Sequence, residues 1–417
     1  MIISVIGLGY IGLPTAAILA SSKVSVIGVD VNEKVVDTIN KGEIHIIEPE
    51  LDALVHSAVQ NGNLRATTQP EKSDVFMLAV PTPFKAKYKP DLSYIESACR
   101  AIAPVLEKGN LVILESTSPV GTTEMMIDWL SSKRSDLSFP KFGSDKFSTD
   151  ISIAHCPERV LPGNVVRELR ENDRIIGGVT SHCAERASNL YKLFVDAECL
   201  ITDCRTAELS KLVENSFRDV NIAFANELSL ICDKLDINVW ELIKLANHHP
   251  RVNILKPGPG VGGHCIAVDP WFIVDSAKDE TKLIRTARLI NDSKPSFILD
   301  KVNQAILEMG VKISEISITC LGLSFKPNID DLRQSPALEI AKKISMMSFK
   351  KLYLVEPNIS IMPNYFDHHD DIELVDLEFA VNSSEIVVLL VDHNEFNQIN
   401  LDLLSDKYVI DTRGIWS

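Results

Sequence analysis

Residues 2–12 read Ile-Ile-Ser-Val-Ile-Gly-Leu-Gly-Tyr-Ile-Gly, an apolar run that leads directly into a G-x-G-x-x-G spacing. The apolar run is typical of a buried parallel strand, and residues 14–21 after the glycines are typical of a helix. Gly7 would allow the tight turn, Gly9 would let a pyrophosphate approach the backbone, and Gly12 would permit close packing of helix on strand. The helix N-terminus would then face the phosphates. The stretch therefore predicts a dinucleotide-binding domain.

A second apolar run, residues 24–29, ends in Asp30, about 20 residues after the glycine turn. A carboxylate at this position can accept hydrogen bonds from both ribose hydroxyls, and it repels a 2′-phosphate. The acid therefore predicts NAD rather than NADP as the cofactor. Strand, turn, helix, second strand and terminal acid occur in the expected order, which makes this fingerprint more specific than the glycine spacing alone.

Further strand-like runs at residues 75–80, 111–115 and 151–154 alternate with helical stretches such as residues 92–106. Alternation of this kind is typical of an α/β fold with a doubly wound parallel sheet. In such a sheet the loops at the carboxyl ends of the strands face the ligand. The loops that follow these runs are therefore expected to line a binding site.

Three polar loops follow these runs, at residues 81–83, 116–119 and 156–159. They supply the candidate ligand contacts Thr82, Thr117 and Glu158. For each of these residues taken alone, a role in a turn or a helix cap is at least as good an interpretation.

The composition favours a soluble, multidomain enzyme with reduced thiols. A chain of 417 residues is too long for one compact core and predicts two or three domains. The 57 acidic against 42 basic residues disfavour nonspecific binding to nucleic acid or anionic membrane. Eight cysteines without a C-x-x-C pair or another metal-ligand spacing indicate a cytoplasmic protein and predict no metal site. No basic n-region precedes the first strand and no run approaches the roughly 18 apolar residues of a membrane span, so secretion and membrane insertion are disfavoured.

Residues 206–235 contain neither Pro nor Gly and predict one long helix. Glu208, Lys211 and Asn215 are three and four residues apart, so they share one face of it. Lys211 and Asn215 could point together at a developing oxyanion, although a solvated polar stripe explains the spacing equally well. With a second helical run at residues 282–309, this helix predicts a spine between two domains and a dimer contact.

One cysteine, Cys265, ends a glycine-rich stretch. Residues 258–265 read Gly-Pro-Gly-Val-Gly-Gly-His-Cys. The surrounding segment, residues 247–270, is dense in Gly, Pro and His, and its prolines restrict the backbone around flexible glycines. We expect a rigid reactive loop. A lone cysteine is more often a small buried hydrophobe than a nucleophile. Paired with a dinucleotide domain, however, Cys265 suggests oxidation through a covalent thiol adduct.

The last third of the chain predicts a second, smaller α/β domain. Residues 316–321 are strand-like, a helix opens near residues 335–336, and further strands are predicted at residues 352–355, 386–391 and 408–410. This part lacks G-x-G-x-x-G, but Lys326 and Arg333 are able to clamp a diphosphate. Two nucleotide-sized sites on one chain imply a cofactor plus a nucleotide-bearing substrate. The alternative is a surface loop with ordinary basic residues.

Over essentially its full length the chain resembles the UDP-glucose/GDP-mannose dehydrogenase family. The matching blocks are residues 7–12, 115–117, 157–158, 208–215, 265–269, 325–326 and 331–336. Family members that oxidise UDP-glucose usually carry Pro-Lys-Asp after the cysteine and a small residue before it. Here Asp269 is kept but follows Ala267 and Val268, and His264 precedes Cys265. These departures count against UDP-glucose as the substrate.

The resemblance implies two Rossmann-like doubly wound domains joined by a long central helix with a helical middle domain. The expected boundaries are 1–203 for the NAD-binding domain, 204–310 for a dimerisation domain that carries the reactive loop, and 311–417 for a domain that binds the UDP part of a nucleotide sugar. It also implies a homodimer in which Arg251 reaches the sugar site of the neighbouring subunit. The product would supply bacterial surface polysaccharide.

The resemblance further implies a four-electron oxidation, in which Cys265 captures an aldehyde as a thiohemiacetal and a second oxidation gives a thioester that water hydrolyses. It assigns catalysis to Cys265, Lys211, Asn215, Asp269, Glu158 and Thr117. It assigns the cofactor to Gly7, Gly9, Tyr10, Ile11, Gly12, Asp30, Thr82, Thr117 and Arg333. It assigns the substrate to Glu158, Arg159, Lys211, Asn215, Arg251, Gly260, His264, Phe325 and Lys326. His264 could tune the thiol, contact the sugar or simply pack in the loop.

Three alternatives remain open at the level of sequence. The nearest concerns the substrate, because the same chemistry could act on UDP-N-acetylglucosamine or UDP-glucose. A two-electron hydroxyacid or hydroxyacyl dehydrogenase shares an N-terminal dinucleotide unit and a helical second domain, but it does not need Cys265. A non-catalytic NAD-binding sensor would keep the glycine loop for structure alone, although Lys211, Cys265 and Asp269 occurring in register disfavour it.

Overall fold

The computed structural model describes residues 1–85, 88–144, 149–161, 163–263, 265–367 and 369–416. Contacts within the chain divide it into two units, Met1–Glu214 and Asn215–Ser417. Each unit is built around its own sheet, with helices packed on the sheet faces.

The first unit alternates strands and helices along the chain. Its strands are β1 (Ile2–Ile6), β2 (Ser25–Val29), β3 (Leu64–Thr67), β4 (Val75–Leu78), the short pair β5 (Phe84–Lys85) and β6 (Lys89–Pro90), β7 (Leu111–Leu114), β8 (Ser152–His155), β9 (Arg174–Gly178) and β10 (Cys199–Asp203). Its helices are α1 (Gly12–Ser21), α2 (Glu33–Asn40), α3 (Leu51–Gln60), α4 (Ser93–Ile102), α5 (Thr122–Ser131), α6 (Val165–Glu171) and α7 (Ser181–Tyr191). A 3₁₀ turn, Ala103–Val105, ends the helical stretch that α4 begins.

The eight-stranded sheet of this unit has the order β10-β9-β8-β7-β4-β1-β2-β3. The central strands pair in parallel, with Ile6 opposite both Val29 and Leu78, so their carboxyl ends meet at one edge. Buried apolar side chains cover both faces. The predicted doubly wound α/β fold is therefore confirmed.

The outer part of this sheet contains one antiparallel pair of strands. Strand β9 runs antiparallel to β8, with His155 opposite Gly177, and β10 then pairs in parallel with β9. An apolar run predicts a strand but carries no information on its direction, so the reversal could not be read from the sequence. Its consequence is that Arg174, the first residue of β9, lies at the carboxyl edge of β8.

The second unit contains a five-stranded parallel sheet in the order β13-β12-β11-β14-β15. Its strands are β11 (Ser317–Leu321), β12 (Lys351–Val355), β13 (Ile372–Leu374), β14 (Ile386–Leu389) and β15 (Tyr408–Asp411). Its helices are α8 (Cys204–Lys234), which begins in the first unit, α9 (Val239–Ala246), α10 (Asp269–Ser276), α11 (Lys282–Met309), α12 (Pro336–Ser345) and α13 (Leu377–Asn382). Apolar residues of α11 and α12 cover one face of the sheet, and α13 covers the other.

The long helices occur where the sequence predicts them. Helix α8 spans the stretch without Pro or Gly, and α11 runs through Pro295 to end at Gly310, whose φ of +67° suits a glycine cap. Ser335 caps α12 by accepting from the Leu338 amide, with Pro336 in the first helical position. The reactive loop ends earlier than expected, because Asp269 and Pro270 already belong to α10.

None of the described helices is long and apolar enough to cross a membrane. Within the described ranges there is also no group of three or more His, Cys, Asp or Glu side chains that could hold a metal ion.

Candidate active site

The turn between β1 and α1 requires glycine at two positions for the packing of the chain itself. Gly7 has φ +91°, and a Cβ there would lie 2.7 Å from the Ala79 carbonyl oxygen. A Cβ at Gly12 would lie only 1.8 Å from the carbonyl oxygen of Gly7. At Gly9, in contrast, an added Cβ would meet no heavy atom of the described residues within 4 Å. Glycine at this exposed position suits a ligand that approaches the backbone, as a pyrophosphate does.

Asp30 lies directly after β2 and is held beside this turn. Its Oδ2 accepts from the Leu8 amide at 3.0 Å, and its Oδ1 accepts from the Asn32 amide at 2.9 Å. A carboxylate has about four acceptor positions, so two remain for ribose hydroxyls. Tyr10 is exposed and Ile11 half-buried between the glycines and α1. These residues fit NAD, which would place its pyrophosphate on the turn and its adenosine ribose on Asp30.

The loops after β4 and β7 are tied to each other. The Thr82 hydroxyl donates to the Thr117 carbonyl at 2.7 Å, and the Ser116 hydroxyl donates to the Val80 carbonyl at 2.7 Å. The hydroxyl of Thr82 therefore has a structural bond in addition to its predicted contact with the cofactor. Both threonines are half-buried at the carboxyl edge of the sheet.

Glu208 in the first turns of α8 is buried rather than part of a solvated stripe. Its carboxylate accepts from the amides of Gly121 and Thr123 and from the Thr123 hydroxyl, at 2.6 to 2.7 Å. It thus caps the N-terminus of α5 and fixes the end of the loop that carries Thr117. Burial raises the pKa of Glu208, and these hydrogen bonds oppose that shift. Lys211 follows one helical turn later and is half-buried.

Glu158 follows β8 and forms a buried ion pair that sequence reasoning missed. Its Oε2 accepts from Arg174 Nη1 at 2.5 Å, and its Oε1 accepts from the Arg159 amide. The Arg159 side chain in turn binds Glu214 of α8 through two nitrogens, at 2.8 and 3.1 Å. Glu158 and Arg159 are therefore both held in fixed orientations.

A second buried carboxyl, Glu115, lies at the end of β7 beside this pair. The Tyr191 hydroxyl donates to Glu115 Oε1 at 2.6 Å, and the Arg174 guanidinium lies 5.5 Å from the Tyr191 ring centre. Burial raises the pKa of Glu115 to about 7, although the charge of Arg174 and the bond from Tyr191 act in the opposite direction. The nearby Glu158 charge adds to the increase.

In the second unit, Asn215 and Asp269, both assigned to catalysis from the sequence, lie within hydrogen-bond distance of each other. Asn215 Nδ2 donates to Asp269 Oδ2 at 2.6 Å, and the Asp269 amide donates to the Cys265 carbonyl at 2.9 Å. Asp269 is buried as the first residue of α10. The cysteine backbone, the carboxylate and the amide side chain thus form one local cluster.

Cys265 differs from the other cysteines in its exposure. All eight cysteines lie within the described residues; Cys265 is exposed, Cys199 is half-buried and the other six are buried. Burial raises the pKa of the Cys99 and Cys320 thiols to about 12, which keeps them protonated and unreactive. Cys265 is therefore the thiol that a substrate can reach.

Buried amides hold the glycine-rich segment in front of this cysteine. The Gly258 amide donates to Asn226 Oδ1 at 2.9 Å, and Asn226 Nδ2 donates to Asn291 Oδ1 at 2.8 Å. Asn291 Nδ2 donates to Asp219 Oδ1 at 2.8 Å, and Arg288 of α11 pairs with the same oxygen. This chain of bonds joins the loop to α8 and α11. Neither asparagine was predicted, because an Asn inside a helical pattern carries no separate signal.

The same segment packs closely on the loop after β11. A Cβ at Gly260, whose φ is +147°, would lie 2.9 Å from Pro336, and one at Gly263 would lie 3.0 Å from the Phe325 ring. Gly263 is therefore a neighbour of Phe325 and Gly260 a neighbour of Pro336, and Lys326, which follows Phe325, is exposed. Arg413, which was not predicted, also reaches the segment, because a Cβ at Gly258 would lie 2.4 Å from its Nη1.

Two further assigned residues, Arg333 and Arg251, lie at exposed positions. Arg333 binds Asp331, two residues away, through its Nε and Nη2 and is mostly exposed. Arg251 is exposed after α9, and its amide donates to His249 Nδ1 at 3.3 Å. His264 lies outside the described residues.

The second unit repeats the cofactor turn of the first with a different acid. Gly322 has φ +90° and donates its amide to the Val355 carbonyl at 2.8 Å, as Gly7 does to the Val29 carbonyl. The residue in the position of Asp30 is Glu356, which accepts from the amides of Leu323 and Ser324 and from His393 Nε2. This carboxylate is buried and shared among protein donors, so the unit is not built to receive a second NAD ribose.

Comparison with known proteins identifies the family to which the chain is similar. The models of the UDP-glucose/GDP-mannose dehydrogenase family match three segments: the NAD-binding domain at residues 1–195, the central domain at residues 205–293 and the UDP-binding domain at residues 319–417. Together these segments cover most of the chain.

Several characterised proteins are similar to the whole chain. An NDP-N-acetyl-D-galactosaminuronic acid dehydrogenase from Ralstonia nicotianae is 60% identical over 100% of this chain and 96% of its own length. A UDP-N-acetyl-D-mannosamine dehydrogenase from Campylobacter jejuni is 61% identical over 96% of this chain and 97% of its own. The solved structure of a UDP-D-ManNAc dehydrogenase from Pyrococcus horikoshii is 41% identical, covers 100% of this chain and 96% of that one, and superposes with a TM-score of 0.88.

Two glycine variants should separate packing from cofactor binding. Gly9→Ala should leave the unfolding temperature nearly unchanged, because its Cβ meets no heavy atom of the described residues, and should weaken NAD binding by more than about tenfold. Gly12→Ala should destabilise the protein by about 3 kcal/mol or more, because its Cβ overlaps the Gly7 carbonyl oxygen. Calorimetry and titration with NAD measure the two effects. Equal destabilisation by both substitutions would contradict this assignment.

Glu115→Gln should change how stability depends on pH. A carboxyl whose pKa is raised from 4.5 to about 7 stabilises the fold fully below pH 4.5 and loses that contribution as the pH rises through 7. The full contribution to the free energy of unfolding is roughly 3 kcal/mol. The unfolding temperature of Glu115→Gln relative to the wild type should therefore increase between pH 4.5 and 7.5. Glu33→Gln, at an exposed carboxyl of α2, is the control and should follow the wild type.

Proposed function

The chain belongs to the UDP-glucose/GDP-mannose dehydrogenase family and is an NAD-dependent oxidoreductase of nucleotide sugars, and we propose that it oxidises UDP-N-acetyl-D-mannosamine at C6 to the uronate. The observation that carries the proposal is the exposed thiol of Cys265, whose backbone is bonded to Asp269, which is in turn bonded to Asn215. A two-electron dehydrogenase has no need of such a thiol.

The proposed reaction proceeds in three stages with balanced atoms. Oxidation of the C6 alcohol releases a hydride and a proton and leaves an aldehyde. The Cys265 thiolate adds to the aldehyde carbon, the oxygen gains a proton, and loss of a second hydride with that proton leaves a thioester. Water then replaces sulfur, which gives the carboxylate and regenerates the thiol. NAD, when bound at the Gly7–Gly12 turn, accepts one hydride in each of the two oxidation steps.

We assign several polar side chains to the stabilisation of the charges that develop during the reaction. The Asn215 amide nitrogen carries two hydrogens, of which one is donated to Asp269. We assign the other, together with the Lys211 ammonium, to the oxyanion of the adduct. Donors of this kind typically contribute about 3 to 4 kcal/mol each to the barrier. Asp269 and Glu158 orient or deprotonate the hydrolytic water, and Thr117 helps to position it.

The UDP part of the substrate is assigned to the second unit. Its UDP-binding domain match covers the loop with Phe325 and Lys326, and Gly260 of the reactive segment packs beside Pro336 of the same region. Lys326 is exposed and can neutralise a diphosphate. We assign Arg159 to the substrate and Arg333 to the cofactor. The proposed domains are residues 1–203, 204–310 and 311–417.

A second candidate substrate is a UDP-N-acetyl-D-galactosamine-type nucleotide sugar. The support for it is the 60% identity with relatives named as N-acetyl-D-galactosaminuronic acid dehydrogenases. The same three-stage chemistry applies to both sugars, because both carry an oxidisable C6 alcohol. The product in either case is an acidic amino-sugar nucleotide, a precursor suited to bacterial surface polysaccharide.

Measuring NADH per sugar consumed tests substrate and mechanism together. Purified protein with UDP-N-acetyl-D-mannosamine should form two NADH per sugar and a uronate, because the thioester route removes four electrons. UDP-N-acetyl-D-galactosamine, UDP-N-acetyl-D-glucosamine and UDP-glucose, tested in parallel, should give much lower kcat/KM. Faster turnover of the galactosamine nucleotide would replace the proposed substrate. One NADH with an aldehyde product would rule out the four-electron route.

The matched variants for this experiment are Cys265→Ser and Cys199→Ser. The first should lower uronate formation by more than about a thousandfold, because it removes the nucleophile. The second changes a half-buried cysteine of the first unit and should leave turnover near the wild-type value. Unchanged uronate formation by Cys265→Ser would contradict the covalent mechanism.

We also propose a homodimer built on α8. Phe217, Phe224 and Ile231 recur every seven residues and are 69%, 53% and 46% exposed. Side chains with this spacing lie along one face of a helix. Such an apolar face is suited to pack against the same face of a second copy of the chain. A dimer would also give Arg251 a neighbouring subunit to reach.

Phe217→Glu combined with Phe224→Glu should convert the dimer to a monomer, because charges then replace the apolar face. Light scattering on a sizing column measures the mass directly. Leu307→Glu, at an apolar residue of α11 that is 79% exposed, is the control and should keep the wild-type mass. A wild-type protein that is already monomeric at working concentration would contradict the proposal.

A further inference from the structure

The reversed strand β9 gives the carboxyl edge of the first sheet a cation. Arg174 begins β9, and it reaches the ends of β7 and β8 because β9 runs opposite to β8. Had β9 been parallel, its first residue would lie at the other edge. Glu115 and Glu158 follow the ends of those two strands, so Arg174 is placed among the acidic residues of the candidate active site.

These side chains form a buried group around one positive charge. Arg174 is 2% and Glu158 6% exposed, and Glu115 and Tyr191 are also buried. Glu158 accepts a hydrogen bond from the guanidinium, the guanidinium carbon lies over the Tyr191 ring, and the Tyr191 hydroxyl donates to Glu115. We call Arg174, Glu158, Glu115 and Tyr191 the Arg174 cluster. Burial alone would lower the pKa of Arg174, but the neighbouring carboxyl groups of Glu158 and Glu115 raise it, so the guanidinium stays charged.

The cluster does not satisfy all of its own polar atoms. Among the described residues, Arg174 Nε, Arg174 Nη2 and Glu115 Oε2 are buried without a hydrogen-bond partner. Replacing buried ion pairs by apolar residues is often neutral or stabilising, so stability alone is a weak reason to keep such a group. A site that must fix one carboxylate in one orientation is a stronger reason.

We propose that Arg174 is a positioning residue for the hydrolytic stage of the reaction, which holds the Glu158 carboxylate in its working orientation and is itself braced by Tyr191 and Glu115. The inference rests on the proposed function, in which Glu158 acts on the water that cleaves the thioester. Arg174 does not touch the substrate in this scheme, because it is almost completely buried. It acts through Glu158, whose other oxygen is fixed by the Arg159 amide.

Arg174→Met tests the inference by separating the two oxidations from hydrolysis. With UDP-N-acetyl-D-mannosamine and NAD, the variant should still form a burst of two NADH per subunit. Its steady-state rate should fall by roughly 10- to 100-fold, because Glu158 loses its fixed partner. The acylated enzyme should therefore accumulate and be visible as an increase in intact mass that disappears in Cys265→Ser. A purely structural role would lower burst and steady state together.

Three further variants keep the test decisive if Arg174→Met does not fold. Arg174→Lys keeps the charge but loses the planar fork, so it should show the same burst with a smaller decrease in the steady-state rate. Tyr191→Phe removes the bond to Glu115 and should act in the same direction. Glu158→Gln should accumulate the same adduct, and its combination with Arg174→Met should add little to the defect of either.

The matched control is Arg186→Met. Arg186 donates to the carbonyls of Gly109 and Asn110 and to Ser152, at the amino ends of β7 and β8, so it tests the loss of an arginine at the opposite edge of the sheet. Its ratio of burst to steady state should equal that of the wild type.

The outcomes separate this inference from the proposed function. If Glu158→Gln accumulates the adduct but Arg174→Met and Arg174→Lys hydrolyse it at the wild-type rate, the inference is wrong and the proposed function stands. If the wild type forms one NADH per sugar, or if Cys265→Ser still makes uronate, the proposed function is wrong. Full additivity of Arg174→Met and Glu158→Gln would likewise overturn the inference.

Discussion

Both sheets depend on one kind of backbone hydrogen bond. In each unit the amide of the glycine that follows the first strand donates to the carbonyl at the end of the next strand in the sequence. Gly7 donates to the Val29 carbonyl and Gly322 to the Val355 carbonyl, both at 2.8 Å, and both glycines have φ near +90°. A side chain would be strained there, and it would also strike Ala79, just after β4, in the first unit or Val391, just after β14, in the second. The contact ends the first strand beside an acid on the second, and this point is where a doubly wound sheet binds its ligand.

The two units use the same contact for different purposes because the acid differs in its surroundings. Asp30 is half-buried and keeps acceptor capacity, whereas Glu356 is buried and is shared by two amides and His393. Burial would raise the pKa of Glu356, but the bond from His393 and the two amides lower it. The carboxylate is thus a charged structural element of the second unit. One fold can therefore serve two different nucleotides, because a few side chains at an equivalent edge decide what can bind.

The sequence predicts the elements well where one strong signal decides them. The glycine turn, Asp30, the long helices and the Ser335-Pro336 helix start each depend on local chemistry that a residue pattern displays. The hydrogen bond between Asn215 and Asp269 is found only in the structure, because the resemblance assigns both residues to catalysis without pairing them. Nor does the sequence predict Arg174, because strand direction is not encoded in an apolar run. The sequence does not predict the roles of Asn226 and Glu208 either, since both depend on partners more than 30 residues away.

The missed residues share one property: they are buried polar side chains that hold loops, and the loops carry the groups assigned to chemistry. Asn226 holds the segment before Cys265, Glu208 the end of the loop with Thr117, and Arg174 the carboxylate of Glu158. A thiol that must add to a carbon and then leave it has to be exposed, so its own packing cannot fix it. Its loop must instead be fixed by hydrogen bonds at a distance, where water does not compete. The precision of an exposed nucleophile is therefore set by residues that the substrate never touches.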